Sequence, residues 1–114
     1  MKFLRSHLMG QWHPANSETG SVVVDPTTEV SLATVSSSGV DFQAAVEFSR
    51  TTGGSALREL TFSQRGELLI AMSKAIHSRL EELLELSMRS CGSTRKDSKF
   101  DIDGATGTLY HYGA

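Results

Sequence analysis

One cysteine and four histidines are the first candidates for a nucleophile, a base or a soft metal ligand in this 114-residue sequence. Cys91 is the obvious nucleophile, but it ends a helical pattern, where the helix dipole disfavours a thiolate. Arg89 and Arg95 act in the opposite direction, and no histidine lies close to Cys91 in the sequence. We therefore interpret Cys91 as an ordinary residue at a helix end, and no catalytic residue is predicted.

The histidines lack the spacing of a metal site. No two of them are four residues apart, and no cysteine cluster accompanies them. They are His7, His13, His77 and His111. His77 lies beside an apolar residue of a helical pattern and is interpreted as a boundary residue, so no metal ligand is predicted.

An acidic segment near residue 100 resembles a calcium-binding loop only superficially. The register that aligns Asp101, Asp103 and Gly104 with an EF-hand puts Lys99 at the first ligand position and Tyr110 at the last. We instead expect Asp101 and Asp103 to lie at the N-terminal end of a short final helix, where carboxylates complement the helix dipole.

Composition excludes several other functions. The ten glycines include neither a G-x-G-x-x-G nor a Walker pattern, so no phosphate loop is predicted. The net charge is −2 with acids and bases interspersed, which argues against a nucleic-acid partner. The longest apolar run, Leu68–Met72, is too short to span a membrane. A single cysteine cannot form an internal disulfide, which favours a reducing, cytoplasmic setting.

The dominant element is a helical pattern from Thr61 to Gly92. Thr61 and Gln64 have the spacing of a capping box, and Gly92 suits the left-handed residue after a helix end. Residues 93–99 then predict a polar bridge before a final short helix or turn. Apolar residues recur at spacings of three and four at Leu69, Met72, Ile76, Leu80 and Leu83. The sequence therefore predicts one long helix over about Thr61–Cys91, whose apolar face needs a partner that the rest of the chain supplies only in part.

Extended segments precede the helices. Val22–Val24 and Val30–Val35 predict a β-hairpin around the turn Asp25–Glu29, in which the Asp25 side chain can accept bonds from the following backbone. Leu8–Trp12 fits either a strand or an extended arm.

A shorter helix is predicted after the hairpin. Asp41 is a suitable N-cap for a helix from Phe42 to about Thr51, and Gly53 and Gly54 are expected to end it. Ala56–Leu60 is then expected to connect this helix to the long one. The fold class is thus a β-hairpin followed by two or three helices, one of them long.

The order of these segments resembles the aldehyde dehydrogenase family. Gly10-Gln11-Trp12 and the turn Asp25–Glu29 are similar to that family's amino-terminal hairpin, where a G-x-W precedes a D-P-x-T-G-E-like turn. The glycine of that turn is absent here. Phe42–Arg50 resembles the family's next helix, of A-V-x-x-A-R type, and Ser63–Leu69 resembles its S/T-x-x-E-R-x-x-x-L helix start, with glutamine in place of the glutamate.

Two segments that flank the long helix resemble a narrower subgroup. Residues 56–65 are similar to its A-L-R-x-[LM]-T-[FY] segment, and Gly92–Leu109 is similar to its G-x-T-R-x-D-S-x-x-D-I-[DE]-G-G-I-x-T-L segment. Ala105 and Thr106 depart from that pattern. The subgroup comprises semialdehyde dehydrogenases of coenzyme A-linked aromatic breakdown, in phenylacetate and benzoyl-CoA catabolism.

The resemblance covers about Leu4 to Tyr112 and implies an α/β family. Residues 1–114 would be a partial N-terminal domain, the outer part of the cofactor-binding domain, and only roughly the first fifth of such an enzyme. The family's catalytic cysteine, glutamate base, oxyanion-stabilising asparagine and main nucleotide-contacting residues all come later. No catalytic or cofactor-binding residue is therefore carried onto this sequence, and Cys91 does not correspond to the nucleophile.

The function implied is that of a truncated NAD(P)-dependent aldehyde dehydrogenase, acting on an acyl-CoA semialdehyde and inactive alone. NAD(P) is implied for the full-length family, with none retained by this chain. The alternative is a small non-catalytic interaction or oligomerisation module that keeps the scaffold. The partners left open are the remainder of such an enzyme and a second copy of this chain.

Overall fold

The chain divides into two compact units, Met1–Ala56 and Leu57–Ala114, in the computed structural model, which describes residues 2–14, 16 and 18–114. The first unit contains four short strands and most of a helical run, and the second is helical throughout. The predicted hairpin is thus present, together with a hairpin that was not predicted, and the helices differ in number and length from those predicted.

The first hairpin joins β1 (Ser6–Leu8) to β2 (Gln11–His13) as antiparallel strands. Its two-residue turn has positive φ at both positions, 52° at Met9 and 76° at Gly10. Positive φ at both central residues is the type I′ geometry, whose twist matches that of the flanking strands. The sequence left this segment open between a strand and an extended arm, and it forms a hairpin.

The predicted hairpin is confirmed as β3 (Ser21–Val24) paired antiparallel with β4 (Ser31–Val35). The Asp25 carboxylate accepts hydrogen bonds from the backbone N–H groups of Thr27 at 2.8 Å and Thr28 at 3.1 Å, as predicted. The pairing register shifts between Val23 and Val24, at the strand end that leads into this turn.

Residues 2–4 lie along the other edge of β4. Leu4 donates a backbone hydrogen bond to the Thr34 carbonyl, and the Thr34 N–H donates to the Lys2 carbonyl, both at 2.9 Å. Ala33 and Thr34 are consequently buried, at 6% and 4% exposure. The centre of this unit is therefore β4, although its buried side chains are small.

The first helical run continues further than predicted. Helix α1 (Phe42–Phe48) begins at the predicted N-cap, with Asp41 accepting from Ala44 N–H at 2.9 Å. It then widens into a π-helical turn, Ser49–Gly53, and continues as α2 (Gly54–Glu59). The prediction that Gly53 and Gly54 end the helix is wrong, because Gly54 takes the ordinary helical values φ −62° and ψ −38°. The expected connector at 56–60 is therefore mostly helical.

The prediction of a single long helix over Thr61–Cys91 is also wrong, because α3 (Phe62–His77) and α4 (Leu80–Cys91) are separated by a turn. Both predicted ends are confirmed: Thr61 and Gln64 form a reciprocal capping box, and Gly92 is left-handed with φ 68°. The chain leaves the helix at Ser78 and Arg79, where Arg79 has φ −113° and ψ 24°.

The last helix, α5 (Arg95–Gly113), is 19 residues long, so the predicted polar bridge and short final helix are wrong. Thr94 caps it by accepting from Asp97 N–H at 3.2 Å. Gly104 and Gly107 lie inside it and weaken it locally, yet its packing against the other two helices outweighs that cost.

Helices α3 and α5 pack antiparallel through small residues. Gly66 and Gly113 meet so closely that a Cβ on Gly66 would lie 2.5 Å from the Gly113 carbonyl oxygen. Seven residues along each helix, Ser73 donates a buried hydrogen bond of 2.8 Å to the Thr106 carbonyl. Helix α4 packs on α5 beside this contact and contributes Leu84, which is fully buried.

Candidate functional site

Cys91 is exposed at the last position of α4. The residue that follows is the left-handed Gly92, whose N–H donates to the Met88 carbonyl at 2.9 Å. Cys91 thus occupies the helix end that the sequence predicted.

The histidines occupy separate places in the fold. His7 lies edge-on to Trp12 at 4.9 Å between ring centroids, and the His13 ring is 3.3 Å from the Leu8 carbonyl, both in the β1–β2 hairpin. His77 is the exposed last residue of α3, and His111 lies near the end of α5. In the described part of the chain, no three His, Cys, Asp or Glu side chains converge as metal ligands.

The acidic segment is helical rather than a loop. Asp101 and Asp103 lie inside α5, two turns beyond its start, so the prediction that they sit at a helix N-terminus is wrong. Asp97 occupies that place instead. Asp103 pairs with Lys99 one turn earlier, an exposed ion pair that contributes little to stability.

An open depression of about 500 Å³ lies between the β-strands of the first unit. Its lining is mostly hydroxyl groups and backbone, and Arg5 is the one charged residue among the described lining residues. The Arg5 guanidinium lies 5.2 Å from the Trp12 ring centroid. The described lining residues include no acid–base pair.

The segment that follows α4 has an evident structural task. The Thr94 side chain accepts from Asp97 N–H and donates to the Asp97 carboxylate at 2.8 Å, which fixes the start of α5. One turn further, Ser98 is fully buried, and its hydroxyl lies 2.7 Å from that of Ser93. These side chains hold the helix in place.

An ion pair also connects α4 and α5 near the start of α5. Arg95 Nη2 donates to both carboxylate oxygens of Glu81, at 2.6 and 2.9 Å, and so joins the first turns of α4 and α5. Both side chains are more than half exposed, so the pair orients the helices more than it stabilises them.

Sequence reasoning missed the buried hydroxyls of Ser73 and Ser98. Each occupies an apolar helix face where a polar residue would otherwise be unfavourable. The available signal was a seven-residue spacing of small residues, Gly66 with Ser73 and Thr106 with Gly113, which is typical of closely packed helices. It indicates packing rather than chemistry.

No helix within the described residues is both long enough and apolar enough to cross a bilayer.

Comparison with known proteins assigns the family. The profile described as "Aldehyde dehydrogenase family" matches residues 12–114. A 3,4-dehydroadipyl-CoA semialdehyde dehydrogenase of Aromatoleum evansii is 38% identical over 109 residues, 96% of this chain and 21% of the relative. A betaine aldehyde dehydrogenase of Bacillus subtilis (strain 168) is 28% identical over 105 residues, 90% of this chain and 21% of the relative.

The chain therefore spans about a fifth of the length of the curated relatives it matches. The match to the family profile extends from β2 to the end of α5 and includes all the helices. On this evidence the chain belongs to the aldehyde dehydrogenase family.

Proposed function

We propose that these residues are the outer part of the cofactor-binding domain of an NAD(P)-dependent aldehyde dehydrogenase, and that alone they catalyse no reaction. The substrate class proposed for the whole enzyme is an acyl-CoA semialdehyde. The 38% identity to the Aromatoleum evansii semialdehyde dehydrogenase supports this class over that of the Bacillus subtilis enzyme, at 28%.

The observation that carries the proposal is the role of residues 92–98. These residues belong to one of the two segments that resemble the semialdehyde subgroup, and their side chains serve as helix caps and hydrogen-bond partners. Residues that distinguish the subgroup here are therefore scaffold residues. A scaffold role is what remains when the nucleophile, base and nucleotide contacts lie elsewhere in the enzyme.

Exposed apolar side chains also support the proposal. Phe62, Phe100 and Tyr112 are 89%, 79% and 76% exposed, although aromatic side chains dominate protein cores and interfaces. Such exposure is expected of a segment whose apolar faces lie against other parts of a larger protein.

The test is an activity and binding assay on the purified 114-residue chain. We expect no aldehyde-dependent reduction of NAD⁺ or NADP⁺ with a panel of aliphatic aldehydes, and no heat of NAD⁺ binding by calorimetry. The Bacillus subtilis betaine aldehyde dehydrogenase with betaine aldehyde serves as the active control. Turnover that disappears in Cys91→Ala would contradict the proposal, because it would make this cysteine the nucleophile.

A second candidate function, a non-catalytic interaction module, has an observation of its own. Helix α3 packs on α5 through Gly66 and Ser73, yet its opposite side carries apolar residues that are about half exposed, among them Leu68 and Met72 at 47% and 52% exposure. A helix with two apolar faces is typical of an element placed between two partners.

A further inference from the structure

The uncovered side of α3 is a regular stripe. Leu68, Met72 and Ala75 follow one another at spacings of four and three, and Ala71 completes the row. All four are exposed. At about 100° per residue they lie opposite Gly66 and Ser73, which face α5. The stripe is therefore free to receive another helix without disturbing the α3–α5 contact.

Two opposite charges flank this stripe along one side. Leu68 and Ala75 take the a positions of a heptad and Ala71 takes d, which places both Glu67 and Lys74 at g. Within α3 neither charge has an opposite one three or four residues away. Neither belongs to an ion pair among the described residues.

These charges select one orientation of a second helix. In an antiparallel pair of helices the g positions face one another, so Glu67 of one copy meets Lys74 of the other, and the two-fold axis repeats the contact. In a parallel pair, g faces e, which would set Glu67 against Met72. Ala71, near the axis, allows the two backbones to approach.

We propose that the occupant of this stripe is a second copy of the chain, docked antiparallel along α3 with reciprocal Glu67–Lys74 pairs. This proposal deepens the interaction-module candidate and does not depend on the dehydrogenase assignment. The contact spans about two helical turns, so the area that it buries is smaller than the roughly 1,200 Å² of a stable specific interface. Self-association is therefore weak, with a dissociation constant in the micromolar range or above.

The experiment is sedimentation velocity of the intact chain over a wide concentration series. We expect a reversible monomer–dimer equilibrium. Glu67→Lys and Lys74→Glu, each alone, should weaken it about tenfold, because each replaces two attractive contacts with two repulsive ones. The double variant Glu67→Lys/Lys74→Glu restores both pairs and keeps the net charge, so its dissociation constant should return to within about twofold of the original.

Glu85→Lys is the matched control, because it makes the same charge change at an exposed site on α4. It should leave the dissociation constant unchanged, and circular dichroism verifies that every variant is folded. A chain that stays monomeric at all concentrations would overturn the proposal and leave the stripe to another part of a longer protein. A dimer that responds equally to Glu67→Lys and Glu85→Lys would overturn it too, as would a double variant as weak as the single ones. None of these outcomes affects the dehydrogenase assay.

Discussion

Each of the two hairpin turns contains one non-glycine residue with positive φ. Met9 has φ 52° and Glu29 has φ 60°, in a region where a side chain costs roughly 1–2 kcal/mol. Glu29 is held there because its N–H donates to the Asp25 carbonyl at 2.8 Å, while the Asp25 carboxylate binds the two preceding N–H groups. The bonding of Asp25 was predictable because it is local, whereas the strain at Glu29 follows from closing the turn onto β4.

Glycine at position 29 should therefore stabilise the protein. Glu29→Gly keeps the N–H and removes the strain, so we expect the free energy of unfolding to rise by about 0.5–1 kcal/mol after the entropy of the added glycine is subtracted. Urea denaturation followed by the fluorescence of Trp12, the one tryptophan, measures it within the same unit. Thr27→Gly is the control, since its φ is not positive, and should lower stability. A loss of stability in Glu29→Gly would show that the glutamate side chain contributes more than its strain costs.

Helix ends were predictable, and helix lengths were not. Asp41, Thr61 and Gly92 act within three or four residues of themselves, so their sequence neighbours determine the outcome. The turn at Ser78 and Arg79 has no glycine or proline to announce it, and the apolar spacing continues across it. Within this turn Ser78 Oγ donates to the Ala75 carbonyl at 2.8 Å, and Arg79 forms an exposed ion pair with Glu82.

The length of α5 was hidden for a related reason. Gly104 and Gly107 lower helix propensity, and their effect is overcome by contacts with α3, which begins 42 residues before Gly104. The sequence predicts no catalytic or metal-binding residue, and this stays a prediction. Local sequence therefore determined the caps and turns, and contacts between distant segments determined how far each helix runs.

A substitution at Gly66 tests how closely α3 and α5 pack. A Cβ there would lie 2.5 Å from the Gly113 carbonyl oxygen, so Gly66→Ala must separate the helices. We expect a net loss of about 1–2 kcal/mol, because overpacking outweighs the helix propensity gained.

Gly107→Ala is the matched change, since nothing lies within 4 Å of its Cβ position. It should stabilise α5 by about 0.5–1 kcal/mol. Urea denaturation followed by circular dichroism at the helical band compares the two variants. An equal rise in the free energy of unfolding of both variants would show that α3 and α5 can separate without loss of stability.

Across the whole molecule, more surface is exposed than two finished domains would leave. The accessible area is 8554 Å². Two compact proteins of half this mass would together expose about 7,400 Å². The chain thus has an incomplete core within each unit, with Ala33 buried in the first and Leu84 in the second. Its large apolar side chains are mostly distributed over the surface, in keeping with a segment that forms about a fifth of its relatives.

The position of Phe100 tests this distribution. Phe100 is 79% exposed on α5, so Phe100→Gln should change the free energy of unfolding by less than about 0.5 kcal/mol while raising solubility. Leu84→Ala, at the fully buried position of α4, should cost about 2–5 kcal/mol. Denaturation in urea and precipitation by ammonium sulfate measure the two quantities on the same samples. Comparable losses of unfolding free energy in the two variants would mean that Phe100 is covered in the folded chain. The stability of the second unit would then depend on a surface that is exposed in this structure.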